Sequence, residues 1–286
     1  MTAGEYTGSY ESKDAVLIQE ILSQLNEKRP DMDAALFDRD GDGCVDNLLV
    51  IPLLYGNKGN FSSHAGSAPG ASAGTKAIGH YTVVDGGVSG IGDCFDASVS
   101  AHEYLHTLGA ADLYRYAADG EPVWKWDIMA KGSTWNWPLA VTRKTLGWIT
   151  IPSVDLKNLQ ESYTLSAPSA GNASGNGGQQ ALKIQLPGSS TEYFVVEYRQ
   201  RKPSYPSLLF DDNVDSSGLI IYRVNENLRD LGNKNGGTAE GEDFVYIFRP
   251  GETGLKDAAG EFTKAALSAG SFTTQNGIAY NSSFCS

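Results

Sequence analysis

The segment His102-Glu103-Tyr104-Leu105-His106 constrains this chain more than any other stretch. On an α-helix, side chains four apart differ by about 40° around the axis, so His102 and His106 project together and can grip one metal ion. Glu103 is turned roughly 100° from His102, which sets its carboxylate beside such an ion rather than on it. This is the layout of a zinc-bound water with an adjacent base. Two imidazoles are too few ligands, and Gly109 can end the helix and turn the chain back, so that Asp112 offers a third donor three residues later. Glu121 is a second oxygen donor farther on; spacing favours Asp112. Three protein ligands leave one position open. Asp96 as N-cap and Gly109 beyond the last turn predict a helix over residues 96–108.

Around this segment the composition excludes several classes. The chain has 286 residues, 22 Lys and Arg against 34 Asp and Glu, and a formal net charge of −12, so a phosphate backbone is repelled and nucleic acid is not an expected partner. No apolar run approaches the roughly 18 residues of a membrane span. Three cysteines, Cys44, Cys94 and Cys285, allow at most one intramolecular pair, and Cys44 with Cys94 is the pair considered. Residues 1–10 are polar and Gly-rich, unlike a signal peptide, so the chain reads either as a cytosolic protein or as a fragment of a longer one, the fragment being preferred.

Apolar residues at Leu17, Ile18, Ile21, Leu22 and Leu25 predict an amphipathic helix over 12–29, with Ser12 as cap and Pro30 as stop. Residues 48–55 read as a buried strand, 56–76 as a long surface loop and 77–84 as an edge strand. Pro138 and Gly147 frame a helix over 138–146. Beyond residue 151 the texture changes to short Val-, Ile-, Tyr- and Phe-rich segments at 163–167, 181–186, 193–199, 219–224 and 244–248, with a low-complexity loop at 168–180.

The stretch HEYLHTLGAADLY at 102–114 resembles the immune inhibitor A type of secreted metallopeptidase, a relative of the metzincins with the pattern H-E-x-x-H-x-x-G-x-x-D. WDIMAKGS at 126–133 looks like that family's Met-containing turn, in which Met129 would form a soft floor under the His ligands. Lys131 stands where several metzincins place a Tyr, so no Tyr from the turn is carried over. The segments at 138–148, 191–200 and 218–224 also resemble the family. The resemblance implies secretion and an inhibitory prosegment that this chain does not display, protein or peptide substrates, and a zinc-dependent endopeptidase. In it Glu103 would take a proton from water and later deliver it to the departing amine.

Asp38, Asp40, Asp42 and Asp46, with Gly43 for the turn, alternate hard oxygen donors in a way that suits calcium, although Leu49 stands where an EF-hand needs Glu. A solvated acidic turn is the alternative reading. Asp211, Asp212 and Asp215 form a thinner cluster, read as surface charge. His64 and His80 are expected in surface or local hydrogen-bonding roles, and the five tryptophans between 124 and 148 are expected chiefly as packing beneath the Met turn.

The expected fold is α+β: a metzincin-like zinc metallopeptidase domain over residues 1–150, followed by an antiparallel β-rich, sandwich-like region over 151–286 packed on it. The competing functional reading is a non-catalytic secreted binding protein, with a structural or vestigial metal site and a β domain that recognises a glycan or a protein.

Overall fold

The computed structural model describes residues 10–52, 63–84, 96–116, 120–154, 162–168, 178–201, 211, 214, 216–236, 242–249, 273–275 and 278–280. The chain divides into two units, Met1–Leu108 and Gly109–Ser286. Helices and sheets are mixed throughout, an α+β composition.

In the first unit the period of Ile18 and Leu22, one turn apart, makes helix α1 (Tyr10–Lys28) amphipathic. Both side chains are buried against Ala34, Val45, Ile78, Tyr81 and Val83. Burial of each is worth about 1.5–3 kcal/mol. The helix starts two residues ahead of Ser12, which therefore lies inside it rather than at its cap. Two small mixed sheets follow. Strand β1 (Cys44–Val45) runs parallel to β5 (Lys76–Ile78), which pairs antiparallel with β4 (Ser72–Ala73). Strand β2 (Leu48–Val50) runs parallel to β6 (Tyr81–Val83), whose other side pairs antiparallel with β3 (His64–Gly66).

Three expectations are corrected here. The described part of 56–76 is not a loop, since it carries β3, β4 and the start of β5; its small Gly, Ser and Ala residues fit closely packed short strands as well as turns. The segment 77–84 is not one edge strand. It breaks at Gly79 and His80, and β6 is the central strand of its sheet with all three residues buried. The run from Leu48 stops at Val50, just before Pro52, which has no N–H for a ladder; residues 53–55 lie outside the described residues.

Helix α2 (Ala97–Thr107) packs against β3 and β6. Asp96 caps it, accepting from the N–H groups of Ser98 at 2.9 Å and Val99 at 3.3 Å.

The second unit is organised by a four-stranded antiparallel sheet in the order β10-β9-β8-β7, built from β7 (Ala181–Gln185), β8 (Glu192–Arg199), β9 (Gly218–Asn225) and β10 (Val245–Ile247). Every second residue of β8 is buried, as the strand period of two requires. Among the described residues, the buried face is hydrogen-bonded to the segment 126–143 with helix α3 (Ala140–Thr145), where the sandwich-like expectation placed a second sheet. Residues 163–167 form no strand, although Ser166 N–H still reaches Gln179 C=O at 2.8 Å. An unanticipated hairpin, β11 (Thr273–Gln275) with β12 (Ile278–Tyr280), completes the described elements.

Candidate metal centre

On α2 the rings of His102 and His106 meet edge to face, centroids 4.8 Å apart and planes at 88°. Each offers a ring nitrogen within 4.8 Å of the other's. His102 is 6% and Glu103 7% exposed, while Tyr104, on the outer face, is 46% exposed. The helix thus buries one His and the adjacent Glu together and leaves the intervening Tyr to solvent. A pair of imidazoles on successive turns is a nitrogen donor set that zinc accepts. Leu108 closes the helix, and Gly109 follows at φ 96°, a conformation that L side chains rarely adopt.

Asp112 opens the second unit, 9% exposed. Its backbone and side chain are both held. The Tyr116 hydroxyl donates to Asp112 Oδ2, and burial together with that bond holds the Tyr116 phenol well above its ordinary pKa. Asp112 C=O accepts from Asn233 N–H at 2.8 Å. The next residue, Leu113, donates its N–H to Met129 C=O at 2.9 Å and accepts from Asn233 Nδ2 at 2.9 Å. Asn233 Nδ2 also reaches Val245 C=O, and its Oδ1 accepts from Val245 N–H. The carboxylate segment is therefore stitched to the Met129 turn on one side and to β10 on the other. Gly232 admits this approach: a Cβ there would lie 2.1 Å from Asp112 O. Arg115 adds a buried bidentate pair with Asp243, at 3.0 and 2.6 Å.

Met129 is fully buried, and the turn that carries it is built by Asp127, also fully buried. The Asp127 carboxylate accepts from the N–H groups of Met129 and Leu139 and from the Thr142 hydroxyl, each at 2.7 Å. Burial pushes its pKa up, and those three donors pull against that. Beneath the turn lies a buried charge network. Arg199 donates to Trp126 C=O at 2.7 Å, to Trp137 C=O at 2.9 Å and to Asp211 Oδ2 at 2.9 Å. Glu197 accepts from Arg143 at 2.6 Å, from Ala140 N–H at 2.8 Å and from the Tyr222 hydroxyl at 3.0 Å. Asp211 is thus no surface charge but a buried partner of Arg199; Asp212 and Asp215 lie outside the described residues.

The acidic loop gathers three of its four carboxylates. Asp38, Asp40 and Asp46 each bring an oxygen within 4.8 Å of the others, whereas Asp42 caps the N–H of Cys44 at 2.7 Å. Strand β5 supplies the loop with a cation. Lys76 Nζ sits 2.6 Å from Asp38 Oδ2 and, as its hydrogen-bond donor, holds the Asp38 carboxyl below its usual range. Gly41 and Gly43 N–H groups complete the coordination of that carboxylate. An ammonium group thus offsets the charge of Asp38, and calcium has no support here.

His64 makes an edge contact with Tyr81, centroids 6.0 Å apart, and His80 is exposed. Cys94 lies outside the described residues, and so does its pairing with half-buried Cys44. Glu121 follows Gly120 in the second unit, beyond residues 117–119, which are not described. Trp126 is buried under the Arg199 guanidinium, 5.9 Å from it, while Trp148 is 49% exposed.

Sequence reasoning passed over Asp127, Asn233 and Tyr116. Asp127 carries a readable signal, an Asp two residues before a buried turn position, where its side chain folds back to cap the backbone. The pair Gly232-Asn233 gives only a generic turn signal, because the Asp112–Leu113 segment it holds lies about 120 residues away.

The chain is distantly homologous to metalloproteases. It is 29% identical over 167 residues to the pre-pro-metalloprotease PrtV of Vibrio cholerae serotype O1, covering 45% of this chain and 17% of that protein. It is 30% identical over 165 residues to immune inhibitor A of Bacillus thuringiensis subsp. alesti, covering 44% of this chain and 23% of that protein. The chain therefore spans under a quarter of the length of these relatives. No family model matches it, and no solved structure does. Among the described residues no helix is long and apolar enough to cross a membrane.

Proposed function

We propose that the chain is a zinc-dependent endopeptidase of metzincin-like fold, in which His102, His106 and Asp112 hold the metal and Glu103 handles the proton. The catalytic region would run to about residue 150, with 151–286 bracing it. The observation that carries this reading is the edge-to-face pair of His102 and His106 with a buried Glu103 beside them on one capped helix. The distant likeness to two metalloproteases supports it.

Zinc bound by such ligands supplies an open position at which a water's pKa falls to about 7 and a carbonyl is polarised. The chain's residues do the rest. Glu103 accepts a proton from the attacking water and returns it to the departing amine, a role worth about 10²- to 10⁴-fold. Its burial keeps the carboxylate away from competing solvent. Gly109 redirects the backbone so that Asp112 follows the helix closely. Met129, in the turn fixed by Asp127, is proposed as the apolar floor of the site. Asp112 is preferred to Glu121 because its segment is anchored at Leu113 and Asn233.

Protein or peptide substrates, secretion, and a precursor with an inhibitory segment belong to the same proposal. The last draws on the name of the pre-pro relative. The test is Glu103→Gln. That variant is expected to bind one zinc with unchanged affinity and to lose cleavage of a denatured protein by at least about 100-fold. Full activity in Glu103→Gln would remove Glu103 from the mechanism.

A further inference from the structure

We propose that Tyr116 is a positioning residue for Asp112: its hydroxyl fixes the carboxylate that the metal uses, and the affinity of the site for zinc depends on that bond. The inference rests on the reading of Asp112 as a ligand and deepens it by naming what orients that ligand.

Tyr116 is 52% exposed, so packing alone does not immobilise it. It is nevertheless held at several points. Its N–H donates to Lys234 C=O at 3.2 Å. Its ring stacks on Tyr114, centroids 5.2 Å apart at 24°, and the Lys234 ammonium lies 5.2 Å from the ring centroid. Its hydroxyl then donates to Asp112 Oδ2. Lys234 follows Asn233, the residue that holds the backbone of Asp112 and Leu113. One short turn, 232–234, thus fixes both the main chain of Asp112 and the ring that grips its side chain.

A carboxylate tied to the protein through one oxygen loses little rotational freedom when it ligates a cation. Outer hydrogen bonds of this kind typically contribute 10- to 100-fold to metal affinity. Removing the hydroxyl leaves the ring, its stack on Tyr114 and its cation contact in place, and takes away the bond to Asp112 together with a hydrogen bond to Tyr114, for which Tyr114→Phe is the control.

The test uses the whole chain with Tyr116→Phe and Asp112→Ala, titrated with zinc in competition with a chromophoric chelator. Cobalt(II) spectra are recorded in parallel. Asp112→Ala should lose tight zinc binding. Tyr116→Phe should bind zinc about 10- to 100-fold more weakly, shift the visible cobalt bands, and melt in its metal-free form at the wild-type temperature. If Asp112→Ala binds zinc as the wild type does, the ligand reading and this inference both fall. If Asp112→Ala loses zinc while Tyr116→Phe keeps wild-type affinity and an unchanged cobalt spectrum, the positioning role alone is overturned. A metal-free Tyr116→Phe that melts markedly lower would assign the hydroxyl to general stability and also overturn it.

Discussion

Asn233, fully buried, donates to the carbonyl of Leu113 at 2.9 Å and also bonds Val245, and so ties the residue after Asp112 to the first residue of β10. A β-rich region that grips the ligand segment in this way braces the proposed site from within its own fold. That is a different task from the separate recognition module of the non-catalytic reading.

Asn233→Ala should therefore be costly. It leaves Leu113 C=O, Val245 C=O and Val245 N–H without their side-chain partner inside the fold. At about 1–3 kcal/mol for each stranded buried group, a loss of at least ~2 kcal/mol is expected in urea unfolding. Zinc affinity should fall as well. A variant as stable as wild type would mean that water replaces the amide easily.

Gly109 and Gly147 form a matched pair. Both have positive φ, 96° and 73°, and a Cβ at either meets nothing within 4 Å. Substitution by Ala should then cost only backbone strain, about 1–3 kcal/mol at each position by thermal unfolding. Only Gly109→Ala should also weaken zinc, because only Gly109 stands between the His helix and Asp112. Equal zinc affinity in the two variants would contradict the role given to the bend.

The legibility of the chain divides along the range of its interactions. Helix α2 was readable because its cap, its ligands and its terminating glycine are neighbours in sequence, and the alternation of β8 was readable because a strand's period is local. The burial of Arg199 and Asp211 was not readable. Each looks like surface charge until the fold brings Arg199 onto the carbonyls of Trp126 and Trp137. The central place of β6 was hidden for a similar reason, since His80 and Thr82 look polar in sequence. His80 precedes the strand, and Thr82 is fully buried within it.

Arg199→Met should test that buried network. It removes the guanidinium from Asp211, buried as fully as Arg199, and from two tryptophan carbonyls, while Glu197 keeps Arg143, the Ala140 N–H and the Tyr222 hydroxyl. Breaking a buried pair from one side costs about 3–5 kcal/mol. Urea unfolding should show a loss of that size. A double variant, Arg199→Met with Asp211→Leu, should recover part of it.

Stability should also fall in acid through Glu226. Burial alone would raise its pKa, but hydrogen bonds from Lys144, Tyr193 and Arg229 outweigh it and bring the carboxyl down from 4.5 to about 2. A depressed carboxylate stabilises the fold above its unfolded pKa. That contribution is lost as pH drops from about 4.5 toward about 2. Glu226→Gln should be less stable than wild type at neutral pH and should show a shallower loss over that window, measured by denaturant unfolding at stepped pH. Identical slopes would mean that the three donors do not act on this carboxylate.

Zinc K-edge X-ray absorption on the full chain loaded with one equivalent of zinc tests the central claim most directly. The account predicts one tightly held zinc per chain, with two imidazole nitrogens, oxygen from a carboxylate and from solvent, and no sulfur. Two imidazoles should vanish from the spectrum in the His102→Ala, His106→Ala double variant. Absence of stoichiometric zinc, or a closed shell of four protein side chains with no solvent oxygen, would contradict it.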